Sequence, residues 1–231
     1  MSELKPLAII AGAGPGLGMT MATKLANENH HVLAISRSKP DQDPVNENIH
    51  FNQVDLGDRA SVEEIINHSV KKFGPPKVLI HNTAQLVIKP FLDTNIEEFS
   101  VTWNSMVQTA INVCQLTIPH MLAQGEGTVI MTGATASLRG GKNFSAFSSA
   151  KFALRGLAQS LAREFQPQGI HVAHVILDGI IDTERSRERH ALDPLRMMKP
   201  EDIAQAYWQL IQQPKSTWSH ELDLRPYQEN F

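Results

Sequence analysis

The residues best equipped to handle a ligand lie close to the N-terminus. Ala11-Gly12-Ala13-Gly14-Pro15-Gly16-Leu17-Gly18 follows a short apolar run and leads into Leu17, Met21 and Leu25, apolar at every fourth position. Glycines there let the backbone turn tightly and approach a pyrophosphate, and a helix start offers free N–H groups and a positive dipole end to an anion. Lying between a buried strand and an amphipathic helix, the string is more than an ordinary turn. Arg37 lies 19 residues beyond Gly18, between Ser36 and Ser38, with no acid in that trio. In a dinucleotide site an acid about 20 residues on holds the ribose hydroxyls of NAD, whereas an arginine accommodates a 2′-phosphate. A guanidinium pairs with phosphate bidentately. The residues therefore point to NADP(H) over NAD(H); the alternative for Arg37 is a plain surface arginine.

Other reactive residue types are less informative. Cys114 is the single cysteine, so no intramolecular disulfide forms, which suits a reducing compartment. It falls in an apolar helical stretch and reads as a buried, inert thiol. Ten histidines are present, but His30 and His31 are adjacent and diverge, and His171 and His174 face opposite sides of a strand. No spacing supports a metal site. Arg185, Arg187, Arg189 and His190 alternate with Glu184 and Glu188, the pattern of a solvated helix face.

The elements that must position these residues alternate along the chain. Apolar runs of strand length are Leu7–Ala11, Val32–Ile35, Ile49–Val54, Lys77–His81, Gly127–Thr132, Ile170–Leu177 and Glu221–Arg225. Between them lie helical patterns. One opens on a Ser61/Glu64 capping box and stops at Gly74-Pro75-Pro76. A second opens on a Thr94/Glu97 box and runs toward Pro119. Ser145–Phe165 and Pro200–Ile211 complete the set. This order predicts a doubly wound Rossmann α/β sandwich of three layers, with a mostly parallel sheet of about seven strands, as one domain over 1–231. The least regular stretches are Lys39–Asn48 and 182–199. The latter follows the sixth strand at the carboxyl edge of the sheet, where ligands bind, and reads as a substrate lid or as an ordinary surface excursion.

With 231 residues, 42% hydrophobic and 19% charged, the chain is an ordinary globular protein. A formal charge of −3 gives no reason to expect nucleic acid. The N-terminal apolar run is too short for a signal or a membrane span. No lipidation motif and no peroxisomal tail at Phe231 is present. A cytoplasmic location is the expectation.

In this order the residues resemble the short-chain dehydrogenase/reductase family over nearly the whole chain. Gly12, Gly16 and Gly18 match its Gly-x-x-x-Gly-x-Gly motif. Asp55-Leu56 is similar to its adenine-contacting aspartate, and His81-Asn82-Thr83-Ala84 to its Asn-Asn-Ala-Gly. Asn104 matches the asparagine of the following helix. Phe147-Ser148-Ser149-Ala150-Lys151 falls where the family has Tyr-x-x-x-Lys, and Asp178-Gly179 with Thr183 where it has Pro-Gly and a threonine facing the nicotinamide. The resemblance implies a cofactor set of Gly12, Gly14, Gly16, Leu17, Gly18, Ser36, Arg37, Asp55, Leu56, Asn82, Thr83, Ala84, Lys151, Gly179 and Thr183. It also implies a small-molecule substrate, and a homodimer or homotetramer paired through the helices of Thr94–Pro119 and Ser145–Phe165.

The family's tyrosine donates a proton to a carbonyl oxygen as hydride arrives. Its lysine lowers the tyrosine pKa and holds the ribose, and a serine holds the oxygen. Here Asn104 and Lys151 are kept, but Phe147 stands at the tyrosine position and Ala134, 13 residues earlier, at the serine position. Losing a general acid costs typically ~10²–10⁴ in rate. Thr132, Thr135, Ser137, Ser145 and Ser148 are near in sequence, and Asp178 is a candidate acid if a partly buried carboxyl there has a raised pKa. Two functions stay open. One is an NADPH-dependent reductase with an atypical proton donor, acting on a small carbonyl or a conjugated double bond, as do the 2,4-dienoyl-CoA reductases, which also lack the tyrosine. Arg139 or Lys142 would meet an acidic group of such a substrate, or are simply solvated. The other is a non-catalytic dinucleotide-binding sensor or partner subunit.

Overall fold

Seven strands, most of them apolar runs, pair in register into one parallel sheet of order β3-β2-β1-β4-β5-β6-β7. The strands are β1 (Leu7–Ala11), β2 (His31–Ser36), β3 (Ile49–Gln53), β4 (Pro76–His81), β5 (Gly127–Thr132), β6 (Ile170–Leu177) and β7 (Glu221–Leu224). The structure is a computed structural model describing residues 5–38 and 46–228. Residues 39–45 of the irregular stretch expected over Lys39–Asn48, most of the N-terminal hexapeptide and Phe231 lie outside the described residues.

Among the described residues seven α-helices accompany the sheet: α1 (Leu17–Asn27), α2 (Arg59–Phe73), α3 (Ile96–Trp103), α4 (Thr109–Gln124), α5 (Ser145–Phe165), α6 (Glu184–His190) and α7 (Pro200–Ile211). Alternate strand residues feed two cores. Leu7, Ile9, Leu79, Val129 and Met131 pack under Val62, Ile66, Val113, Met121, Phe147 and Leu154 from α2, α4 and α5. Ala8, Ile10, Val78, Ile80 and Ile130 pack under Leu17, Met21, Ile203, Tyr207 and Leu210 from α1 and α7. Strands buried on both faces read as unbroken apolar runs, which is why β1 was legible.

Helix starts differ from the sequence reading. Asp58, not Ser61, caps α2: its side chain accepts from Ser61 N–H. Asn95, not Thr94, caps α3, in a reciprocal box with Glu98. The long helix expected toward Pro119 is two helices joined by a π turn, Asn104–Gln108, where Thr109 N–H reaches back to Asn104 O. Pro119 does not end it; α4 continues to Gln124 and closes on Gly125 in the left-handed region, φ 71°.

β1 has β2 on one side and β4 on the other, so the chain direction of connection reverses beside it. Open α/β sheets bind ligands outside the carboxyl ends of the strands at such a switch point. The glycine-rich turn leaves β1 there.

Candidate dinucleotide site

The turn after β1 is shaped by close approach. Gly12 has φ +100°, and a Cβ on it would lie 2.5 Å from Asn82 O; a Cβ on Gly18 would lie 2.4 Å from Gly12 O. These two glycines let β4 and α1 press against the turn, which Asn82 secures by donating from its N–H to Ala11 O (2.7 Å) and from Nδ2 to Gly12 O (3.2 Å). Gly14 differs: nothing lies within 4 Å of its Cβ position, and it lines an open groove. Gly16 starts α1 with no side-chain cap. Among the described residues the amides of Leu17 and Gly18 meet no backbone acceptor. An uncapped helix start with free amides beside an open groove fits a pyrophosphate.

The groove has a cavity volume of about 490 Å³. It gathers Gly12, Gly14, Ser36, Arg37, Asp55, Leu56, Asn82, Thr83, Ala84 and Asn104 from five segments of the chain. Arg37 is exposed at its β2–β3 end, and among the described residues no carboxylate pairs with it. Its backbone is tied down, since Gln53 Nε2 donates to Arg37 O at 3.0 Å. Asp55 accepts from Gly57 N–H at 2.8 Å. The residues present therefore fit a dinucleotide.

On the β4 side, Asn104 opens the π turn and stands exposed in the groove. Behind it lies a polar cluster the sequence did not disclose. His81, fully buried, places Nε2 2.9 Å from Thr109 Oγ1 and 3.0 Å from Thr83 Oγ1. Both hydroxyls reach Ser105 O, at 2.6 Å from Thr83 and 2.8 Å from Thr109. Burial, with the nearby charge of Lys151, pushes the His81 pKa down to about 3.

Lys151 is 2% exposed and donates to Thr132 O at 2.8 Å and Thr83 O at 3.4 Å. Burial lowers its pKa to about 8. Its Nζ sits over the Phe147 ring. Phe147 is 9% exposed, and Ala134, Leu86 and Phe144 pack against the same core. The oxygen-handling positions thus form an apolar surface beside a buried amine. Tyr207 does not substitute for residue 147: it belongs to the opposite face of the sheet, its hydroxyl 2.9 Å from Thr132 Oγ1 and its pKa pushed up by burial.

Asp178 does not suit the acid role anticipated for it. It is almost wholly buried rather than partly so, and its oxygens meet the Thr135 hydroxyl, Arg225 at 3.1 Å and Arg139 at 3.6 Å. These contacts engage its oxygens as acceptors toward two arginines and a hydroxyl. The pairing with Arg225 brings the end of β7 under Gly179, whose Cβ position lies 2.6 Å from Pro226 Cδ.

Segment 182–199 is pinned at its base, where Met198 N–H donates to Ile180 O and Asp182 N–H to Met198 O, both at 2.8 Å. Thr183 caps α6 and its Cγ2 lies 2.8 Å from a Gly16 Cβ position, so it abuts the phosphate turn. The charged residues of α6 are exposed, as the mixed signs imply. Cys114 is buried, with its pKa raised to about 12. No metal-ligand cluster occurs among the described residues, and no helix there is long and apolar enough to cross a membrane.

A sequence model of the short chain dehydrogenase family matches residues 6–193. An uncharacterized oxidoreductase of Staphylococcus aureus (strain USA300) is 27% identical over 229 residues, covering 95% of this chain and 96% of its own. A crystal structure of a short-chain dehydrogenase from Rhodopseudomonas palustris is 34% identical, covers 97% of this chain and 100% of that one, and superposes with a TM-score of 0.81. The structure of ElxO with NADP bound shares the fold at 24% identity and a TM-score of 0.85, over 95% of this chain and 96% of its own.

Proposed function

We propose that this chain, which belongs to the short chain dehydrogenase family, is an NADPH-dependent oxidoreductase that reduces a conjugated enoyl or small carbonyl substrate without a tyrosine acid. One observation carries the reading: a dinucleotide groove with Arg37 at one end, paired with no carboxylate among the described residues, and, beyond the other, a buried lysine amine kept beside two apolar residues. Stripping an ammonium of water is unfavourable, and a lysine held at that cost beside the nicotinamide half serves both the ribose and the charge that gathers on a substrate. ElxO, of the same fold, was solved with NADP bound, in keeping with this cofactor.

The amides of Gly14, Gly16, Leu17 and Gly18 hold the pyrophosphate, Ser36 and Arg37 the 2′-phosphate, and Asp55 and Leu56 the adenine. Asn82, Thr83, Ala84, Lys151, Gly179 and Thr183 hold the nicotinamide half. NADPH, when bound, supplies a hydride. Lys151 offers positive charge where negative charge gathers on the substrate. Phe147 and Ala134 give no proton. In a conjugated enoyl the hydride adds to one carbon and the proton ends on another, and in a small carbonyl the proton ends on oxygen; in both, solvent is the source. Segment 182–199 is the substrate lid. The enzyme is a cytoplasmic homodimer or homotetramer, supported by the exposed Val101, Trp103 and Phe152 on α3 and α5.

A second reading, a dinucleotide sensor, is favoured by the same apolar pair Phe147 and Ala134. Turnover separates the two. The protein is mixed with NADPH and aldehydes, ketones, quinones or enoyl thioesters while nicotinamide absorbance is followed. Oxidation with one class, reduced in Lys151→Ala, is the expected result. Tight binding with no turnover on any class would hand the site to the sensor.

A further inference from the structure

We propose that His81 is a positioning residue: through Thr83 and Thr109 it fixes the Ser105 carbonyl, and with it the π turn that presents Asn104 to the groove.

Ser105 O only accepts, and both threonine hydroxyls lie within hydrogen-bond distance of it. With both hydroxyls donating there, Thr83 Oγ1 and Thr109 Oγ1, themselves 3.4 Å apart, accept from His81 Nε2. This arrangement, the Nε2–H tautomer, leaves a lone pair rather than a buried N–H at Nδ1, which finds no partner among the described residues. Asparagine, whose amide is smaller and hangs from a shorter side chain, does not replace an imidazole spanning both hydroxyls.

The cluster sits where helical hydrogen bonding is broken. Thr109 N–H goes five residues back to Asn104 O, so Ser105 O is not taken by the amide four residues on. The two hydroxyls occupy it instead. π turns are rare and concentrate at functional sites, and an extra residue in the turn is held only when its freed carbonyl is satisfied. Thr83 is the shared node: its hydroxyl joins His81 to Ser105, and its carbonyl accepts from Lys151. His81 thereby sets the β4 side of the groove without touching it, while the β2–β3 side, with Arg37, is built independently.

This rests on the dinucleotide reading, and the test separates the two. NADPH and adenosine 2′,5′-bisphosphate, a fragment lacking the nicotinamide half, are titrated into the wild type and His81→Asn. NADPH affinity is expected to fall about tenfold, the scale of a lost hydrogen bond, with the fragment's affinity held within about twofold. Equal loss for both ligands, or no loss for either, overturns the assignment. Thr109→Val and Thr109→Ser repeat the test if His81→Asn does not fold: Val lowers NADPH affinity and Ser, which keeps the hydroxyl, recovers it; equal behaviour of the two overturns the claim. Amide exchange at residues 104–109, read without any nucleotide, rises in Thr109→Val relative to Thr109→Ser if the turn is held this way. Unchanged exchange rejects it even were the protein to bind no dinucleotide.

Discussion

The Nζ of Lys151 lies 5.8 Å from the centroid of the Phe147 ring, one turn along the same face of α5. An amine so placed would lower the pKa of a hydroxyl carried by that ring. The double substitution Phe147→Tyr with Ala134→Ser should therefore raise NADPH-dependent reduction of simple aldehydes by at least about 100-fold, the lower range for a general acid. Initial rates with a set of aldehydes check this. Rates equal to those of the wild type would mean that the apolar pair is not what limits the chemistry.

Arg37 is expected to read the 2′-phosphate. Charge-assisted hydrogen bonds contribute about 1.5–3 kcal/mol, so Arg37→Ala should weaken NADPH binding by about 10- to 100-fold and leave NADH alone. Fluorescence titration with both nucleotides measures it. A parallel loss for the two would remove the arginine from the selectivity account.

The glycines of the turn divide into two kinds. A Cβ on Gly18 meets backbone at 2.4 Å, whereas one on Gly14 meets nothing within 4 Å. Gly18→Ala should lower stability by about 1–3 kcal/mol, as overpacking does. Gly14→Ala should stay within about 0.5 kcal/mol of the wild type and lose affinity for NADPH, because the methyl enters the groove. Urea unfolding and nucleotide titration of the same two proteins decide the matter; identical unfolding midpoints would contradict it.

Acid should destabilise the protein before its carboxylates titrate. Burial pushes His81 down to about 3 and His174 to about 4 from an ordinary 6.5. The unfolded chain then binds protons that the folded chain refuses, so stability is present above pH 6.5 and declines below it. Each histidine contributes a slope of about 1 kcal/mol per pH unit in that window. The urea midpoint should fall between pH 7 and pH 5; a level midpoint would show that these rings are solvated or paired.

The sheet and the groove were legible because their signals are local. β1 is apolar throughout, the glycine string follows it, and Arg37 comes directly after the next strand. Helix starts were offset because cap-competent residues overlap: Asp58 and Ser61 can each cap, though only Ser61 has a glutamate three residues on, and Thr94 and Asn95 are each followed three residues later by a glutamate. Contacts between distant residues left no trace in the pattern. His81 and Thr109 are 28 apart and meet only because β4 and the π turn fold together. Asp178 became the centre of an ion-paired cluster because Arg225, from the end of β7, lies against it.

Calorimetric titration of the purified wild-type chain with NADPH and then NADH tests the central claim most directly. The account expects one site per chain, micromolar or tighter for NADPH and at least about tenfold weaker for NADH, as an arginine–phosphate pairing implies. Absence of binding heat and of fluorescence change with both nucleotides would contradict it.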